Sequence, residues 1–185
     1  SSLESLRQPL EDGIITISRA GGTVTYPASF TLVASMNPCP CGHFGSKKRR
    51  CVCTPNDIRK YRARISGPLL DRIDIQVEVD GVEYDALISE TVEESSMAVK
   101  ERADSARKIQ RARFEGSKVQ SNAEMGEKEM REYCKLDKDC EEVLREAFDR
   151  LHLSARARSR ILKVARTIAD LELSENITAE HLYEA

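Results

Sequence analysis

The sequence predicts an α/β segment followed by an all-α segment, and three observations support this prediction. Strand-like stretches rich in β-branched residues occur only in the first half of the chain, at residues 14–18, 23–26, 28–36 and 73–79. From about Tyr84 onward the chain is charged and helix-forming, with few turn residues. The 185 residues are 40% hydrophobic, which is enough for a packed core. We therefore predict two domains, residues 1–83 and 84–185.

The first domain is predicted to begin with a short helix over residues 2–10. Two strand-like stretches then flank Gly21 and Gly22, a pattern typical of a β-hairpin with a glycine-rich tip. The hairpin leads into the apolar residues 28–36, which predict a mostly buried strand. Asn37 follows that strand directly, so its amide is expected at the sheet edge.

A helix start and a further strand are predicted after the cysteine-rich loop. Thr54 is a suitable N-cap and Pro55 suits the first helical position, so a helix should run to about Ser66. The pair at residues 67–68, Gly-Pro, should end it. Residues 73–79 alternate in polarity and predict another strand.

The second domain is predicted to be entirely helical. One long helix covers residues 93–114. A second helix has an apolar stripe at three- and four-residue spacing, formed by Cys140, Val143, Leu144, Ala147, Phe148 and Leu151. A third helix, capped by Ser154, has an apolar face formed by Ala157, Ile161, Val164, Ala165, Ile168 and Leu171. Thr178 can cap a last short helix that ends at Tyr183.

Charge is unevenly distributed along the chain. The net charge is −2 and the pI is near 6.0, which argues against a generally basic nucleic-acid-binding protein. Between Cys39 and Arg64, however, eight basic residues accompany one acidic residue, a local charge of +7. A polyanion would be attracted to that segment alone. The sequence has neither a membrane-spanning stretch nor a signal-peptide pattern, so a cytoplasmic location without membrane attachment is expected.

Four of the six cysteines form two Cys-x-Cys pairs, at Cys39, Cys41, Cys51 and Cys53. Four thiolates at this spacing can form a tetrahedral metal site, and zinc is the metal that such a set most often selects. His43 is a possible substitute for one ligand, and a reduced loop without metal is the alternative. Cys134 and Cys140 lie on helical stretches and are interpreted as ordinary core or surface thiols.

Several ordered blocks along the chain resemble the Mg-chelatase-related AAA+ ATPases of the ComM/YifB type. These blocks are LRQPLE at 6–11, ISR at 17–19, YPASF at 26–30, MNPCPCG at 36–42, ISGPLLDRID at 65–74 and ARTIADL at 165–171. The resemblance implies the C-terminal half of an AAA+ nucleotide-binding domain, with core strands and a hairpin, followed by a helical lid. It also implies a ring-forming, hexameric ATPase that uses ATP and Mg²⁺ to remodel DNA, for example by branch migration.

The resemblance assigns three nucleotide-site residues by position. Asn37 matches the sensor-1 residue, which orients the attacking water near the γ-phosphate. Its alternative role is to cap the turn into Pro38. Arg72 matches the arginine finger that reaches the neighbouring subunit's nucleotide, whereas the residues alone also allow a surface ion pair with Asp71 or Asp74.

Arg156 matches the sensor-2 arginine, which touches the phosphates of its own subunit's nucleotide. Arg158 and Arg160 lie nearby, and the register against residues 165–167 favours Arg156.

Five basic residues are candidates for contact with DNA phosphates. Arg19 lies at the hairpin tip, and the cysteine loop carries a basic run, Lys47, Lys48, Arg49 and Arg50. In a ring of subunits such projections can face a central pore. The alternative is an ordinary solvated loop, and the absence of an aromatic residue within the run limits the expectation to backbone contact.

The chain departs from the family pattern in one respect. It contains no Gly-x-x-x-x-Gly-Lys-Ser/Thr motif, and no apolar strand ending in paired acids precedes Leu6. We therefore expect a C-terminal fragment without ATPase activity of its own. Two alternative functions remain open, the ATPase subunit of a magnesium chelatase and a zinc-stabilised nucleic-acid-binding scaffold.

Overall fold

The computed structural model describes residues 2–79 and 94–185. The chain forms two compact units, which divide after residue 89. The predicted boundary after residue 83 lies outside the described residues and stays a prediction.

The described elements of the first unit are a 3₁₀ helix, three short α-helices and one hairpin. In chain order they are the 3₁₀ helix Ser2–Leu6, α1 Arg7–Asp12, β1 Ile14–Arg19, β2 Gly22–Pro27, α2 Pro55–Arg62 and α3 Gly67–Leu70. The first helical stretch ends at Asp12, two residues beyond the predicted end. Gly13 ends it in the left-handed conformation at φ 65°, which a glycine adopts without the strain that a Cβ would add.

The hairpin prediction is confirmed. Strands β1 and β2 pair antiparallel, from Ile14 opposite Pro27 to Arg19 opposite Gly22. On one face the hydroxyls of Thr16 and Thr25 lie 3.3 Å apart. Every residue of both strands is exposed, so the hairpin stands out from its unit.

The predictions of two further strands, at residues 28–36 and 73–79, are wrong. Neither segment forms a strand, and the expected burial of the first is also absent, since Val33 is 89% exposed. Ile75 and Val79 are exposed as well. A strand forms only where a neighbouring strand accepts and donates its backbone hydrogen bonds. In the described residues the hairpin is the only sheet, and it pairs with neither segment.

The helix start at Thr54 is confirmed in detail. The Thr54 hydroxyl accepts a hydrogen bond from the Asp57 backbone, and the Asp57 carboxylate accepts one from the Thr54 N–H at 2.9 Å. Helix α2 ends at Arg62, four residues before the predicted end. Ser66 does not continue it, because its hydroxyl caps α3 by accepting from the N–H of Leu69.

The second unit is helical, as predicted. Its described elements are α4 Ser96–Arg113, a 3₁₀ helix Asn122–Glu124, α5 Glu127–Tyr133, α6 Lys138–Leu151, α7 Ala155–Leu171 and α8 Ala179–Glu184. Helix α7 is central, since it contacts α4, α5, α8 and the 3₁₀ helix. Ser154 caps it by accepting from the Ala157 N–H at 3.2 Å, as expected. Neither α5 nor the 3₁₀ helix was predicted from the sequence.

The core of this unit combines apolar side chains from helices α5 to α8 with residues that follow α4 and the 3₁₀ helix. Both helical cysteines belong to it, because Cys134 and Cys140 are 5% and 1% exposed. Burial raises the pKa of each of these thiols to about 11, so they remain protonated and chemically inert. The predicted stripe of α6 is confirmed at Cys140 and Leu144, whereas Leu151 is exposed.

A buried charged cluster crosses the same core, and it corrects the predicted face of α7. The most buried side of α7 is formed by Leu162, Ala165, Arg166, Ala169 and Asp170, whereas Ile161, Val164, Ile168 and Leu171 are half-buried. Arg166 and Asp170 can lie within the buried face because they form an ion pair and a hydrogen bond with each other, which offsets the cost of burying their charges.

Asp170 is the centre of the charged cluster and is fully buried. Its carboxylate accepts two hydrogen bonds from Arg113 of α4, at 2.7 and 2.5 Å. It also accepts from the Asn122 amide at 2.8 Å and from Arg166 Nε at 3.1 Å. The other nitrogens of Arg166 donate to the carbonyls of Ser174 and Glu175. One carboxylate thus joins α4, the 3₁₀ helix and α7.

None of the helices in the described part of the chain is long and apolar enough to cross a membrane.

Candidate metal centre

The four loop cysteines converge on one point in the first unit. Their sulfur atoms all lie within 4.8 Å of one another. The Sγ atom of Cys39 lies 3.4 Å from that of Cys41 and 3.7 Å from that of Cys51, and Cys41 and Cys51 are 3.6 Å apart. Four sulfurs placed about 2.3 Å from a central ion at tetrahedral angles would be about 3.8 Å apart. The three distances among Cys39, Cys41 and Cys51 are close to that value, and Cys53 lies near enough to be the fourth ligand.

Two tight turns shape the loop around the thiols. In the first, the N–H of Gly42 donates to the carbonyl of Cys39 at 3.0 Å, and Gly42 has a φ of 79°, which suits a residue without a Cβ. In the second, the N–H of Ser46 donates to the carbonyl of His43. The N–H of Phe44 points back and donates to the Cys39 sulfur at 3.3 Å. This geometry lets the Cys-x-Cys pair present both sulfurs to one point.

Hydrogen bonds, burial and neighbouring thiols shift the pKa values of the cluster thiols in opposite directions. Hydrogen bonding from the backbone of Val52, and then from that of His43, lowers the pKa of the Cys41 thiol to about 6. A hydrogen bond from the Cys41 backbone lowers the pKa of Cys53. Burial and the neighbouring thiols outweigh it and raise that pKa to about 12. Thiolates this close repel one another, so a bound divalent cation would remove that penalty and favour all four charges. The cluster can thus hold a metal ion.

Arg62 of helix α2 contacts the cysteine loop in two ways. Its Nε donates to the carbonyl of Pro38 at 3.4 Å, one residue before the first cysteine. Its guanidinium carbon also lies 5.2 Å from the centre of the Phe44 ring, within the range of a cation–π contact. Neither Arg62 nor Phe44 was singled out from the sequence, because their contact depends on the loop folding back onto the helix.

The basic run Lys47–Arg50 lies between the two cysteine pairs, and all four residues are exposed. The backbone N–H groups of Lys48 and Arg49 both donate to the Ser46 hydroxyl, so the run begins in an ordered turn. Arg19, the other DNA-contact candidate, is the last residue of β1 and is exposed at the hairpin tip. These candidates are therefore exposed in this unit, and their contact with DNA stays a prediction.

The predicted nucleotide-site residues occupy distinct environments. Asn37 is exposed and lies two residues before Cys39 in the sequence. Arg72 follows α3, where its guanidinium pairs with the carboxylate of Glu11 on α1 and donates to the Pro68 carbonyl at 2.6 Å. This side chain is only 11% exposed, so Arg72 is held against its own chain.

Arg156 lies in the first turn of α7, two residues after the N-cap, and is exposed. It belongs to the helical unit, whereas Asn37 and Arg72 belong to the first unit. The roles that the resemblance assigns to these three residues stay predictions.

Comparison with known proteins identifies the family. Residues 1–87 match the family described as "Magnesium chelatase, subunit ChlI", and residues 93–185 match "Magnesium chelatase, subunit ChlI C-terminal". The chain is 43% identical over its whole length to "Uncharacterized protein YifB" of Escherichia coli, covering 35% of that protein. It is 43% identical, over 99% of its length, to "Competence protein ComM" of Haemophilus influenzae, again covering 35%. An uncharacterized Mycobacterium tuberculosis protein is 38% identical over 92% of the chain.

The matches run through both units and together account for nearly all of the chain. The chain spans about a third of the length of these curated relatives. The matches to YifB and ComM cover the whole chain or nearly all of it, which agrees with the resemblance found in the sequence blocks. The chain therefore belongs to the magnesium chelatase ChlI family and represents part of a protein of the ComM/YifB type.

Proposed function

We propose that this chain is part of a ring-forming AAA+ ATPase, active as a hexamer, that couples ATP hydrolysis to DNA remodelling such as branch migration. The proposed role in DNA remodelling rests on the exposed basic run Lys47–Arg50, which lies between the two Cys-x-Cys pairs of the thiol cluster. Such a loop can contact backbone phosphates without sequence preference. Membership of the ChlI family and similarity to a protein named for competence support the proposal.

The proposal gives each of the three predicted nucleotide-site residues a role. The Asn37 amide would orient the attacking water, and Arg72 would offset charge on the phosphoryl group bound by a neighbouring subunit. Arg156 would contact phosphates of the nucleotide in its own subunit. ATP and Mg²⁺ would be bound with the help of residues outside these 185. Because Arg72 pairs with Glu11, it must exchange that partner to act in trans.

Charge reversal in the basic run tests the DNA role. We expect the quadruple variant K47E/K48E/R49E/R50E to bind DNA more weakly. The slope of the logarithm of the binding constant against the logarithm of salt concentration should become shallower. The change should be about one unit for each phosphate that the run no longer neutralises. The measurement is fluorescence anisotropy of labelled DNA over a series of salt concentrations. The matched control reverses four exposed basic residues of the helical unit, Lys118, Lys128, Arg131 and Lys138. Unchanged affinity and slope in the first variant would contradict the proposed contact.

The isolated 185-residue chain is expected to release no phosphate from ATP above background. It carries no motif that cradles the phosphates, and residues that bind Mg²⁺ beside them are not recognisable in it. A phosphate-release assay on the purified chain, with and without DNA, is the measurement. Robust turnover would show that this chain contains a complete catalytic site. It would overturn the proposal that residues outside these 185 are needed to bind ATP and Mg²⁺.

We further infer that the metal held by the four cysteines is zinc. Four thiolates at tetrahedral spacing favour zinc over the harder ions Mg²⁺ and Ca²⁺, which prefer oxygen ligands. The ion would have a structural role, since four protein ligands leave no open position for a reacting water. It would hold the start and end of the basic loop together.

A second candidate function is the ATPase subunit of a magnesium chelatase, which the description of the matching family favours. ATP-dependent DNA unwinding by the intact protein would support the first function, and ATP-dependent Mg²⁺ insertion into a porphyrin would support the second. Zinc and DNA binding without any response to nucleotide would instead indicate a scaffold.

A further inference from the structure

An aromatic side chain lies beside the basic run, although the run itself contains none. Phe44 precedes Lys47 by three residues and is 45% exposed. Arg62 contacts one side of the ring, and close to half of Phe44 remains open to solvent beside the basic segment of the chain. Its surroundings therefore point to a ligand that combines negative charge with flat apolar surface.

Phe44 is positioned by one backbone contact and one contact to its ring. Its backbone N–H donates to the sulfur of Cys39, which ties the residue to the thiol cluster. The guanidinium of Arg62 lies over the ring, and Arg62 is itself anchored through the carbonyl of Pro38. A ring fixed in this way loses little conformational entropy when a ligand binds, which favours stacking.

We propose that Phe44 and Arg62 form a stacking platform for an unpaired base, and that the site binds single-stranded nucleic acid. Aromatic rings and guanidinium planes both stack on bases, and basic side chains beside them hold the phosphates. Bases within a duplex are already stacked on their neighbours and cannot reach such a ring. This inference deepens the proposed DNA role and rests on it, because it names the form of the nucleic acid that the basic loop receives.

The variant F44W tests the platform directly. The natural chain has no tryptophan, so the new indole would be the only one and would report on this position alone. We expect its emission to be quenched when the 185-residue chain, in reducing buffer with zinc, is saturated with single-stranded oligothymidylate. The matched reporter Y183W, at a 74% exposed position of the helical unit, should show no quenching. Saturation without any change at F44W would overturn the proposal.

Affinity provides the second measurement. Stacking of one base predicts that F44A and F44L bind oligothymidylate about tenfold more weakly than the natural chain, with an unchanged salt slope. F44L keeps an apolar side chain, so it separates loss of the aromatic face from disturbance of the loop, and retained zinc content checks the fold of both variants. F44L binding as tightly as the natural chain would refute the platform.

The outcomes also separate this inference from the proposed function. If the natural chain binds single-stranded DNA through the basic run and the Phe44 variants bind equally well, only the platform fails. If neither the natural chain nor the intact protein binds DNA of any form, the proposed DNA function fails with it.

Discussion

Replacing Asp170 by asparagine is expected to destabilise the helical unit by about 3–5 kcal/mol. The substitution keeps the size of the side chain but removes the only negative charge that Arg113 and Arg166 share in the described core. The new amide would also place donor hydrogens where donors already point. The buried guanidinium of Arg166 and the largely buried one of Arg113 would then lack a counter-charge, which costs far more than the loss of an exposed ion pair.

The measurement is urea denaturation followed by the helical signal in circular dichroism. The matched control is D149N, an isosteric change at an exposed position of α6, which should alter stability by less than about 0.5 kcal/mol. A loss of less than about 1 kcal/mol in D170N would mean that water or other groups neutralise the two arginines, and would contradict the role given to this carboxylate.

Removing one loop cysteine is expected to abolish stable zinc binding. The natural chain, purified without chelator, should contain zinc at one ion per chain, and C51S should lose it. We expect the affinity to fall by more than about 100-fold, because even residues that merely orient a ligand contribute about 10–100-fold. Metal analysis gives the stoichiometry, and the visible absorption of the Co²⁺-substituted chain reports on tetrahedral thiolate coordination.

The matched control for zinc binding is C140A. Cys140 is buried in the helical unit and donates its S–H to the carbonyl of Ile177, so its loss should leave the zinc content unchanged. Equal zinc loss in both variants would indicate a general folding defect rather than a ligand role. A natural chain that contains no zinc and fails to take up Co²⁺ would reject the metal centre itself.

Features that are satisfied within a few residues of sequence were predictable. The Thr54 cap with Asp57 three residues later defines a helix start without distant partners, and the same holds for Ser154. The hairpin needs only its two strands and the glycine tip. The thiol cluster was also predictable, because all of its candidate ligands lie within a fifteen-residue stretch.

Features that depend on distant partners were not predictable. Residues 28–36 and 73–79 have the composition of strands, yet the described chain supplies no neighbour to pair with either of them. The buried face of α7 was misplaced because hydrophobic periodicity cannot register Arg166 and Asp170 as core residues. Phe44 was overlooked for a similar reason, since its significance comes from Arg62, eighteen residues away in sequence.

The buried carboxylate of Asp170 has a mechanical consequence for the helical unit. Sliding α4 along α7 would separate Arg113 from Asp170, and the fully buried carboxylate would lose two of its hydrogen bonds. The unit is therefore stiff against shear between these two helices, while its exposed charges contribute little resistance. Arg156 lies in the first turn of the same helix, so Asp170 joins the helix that carries Arg156 directly to α4.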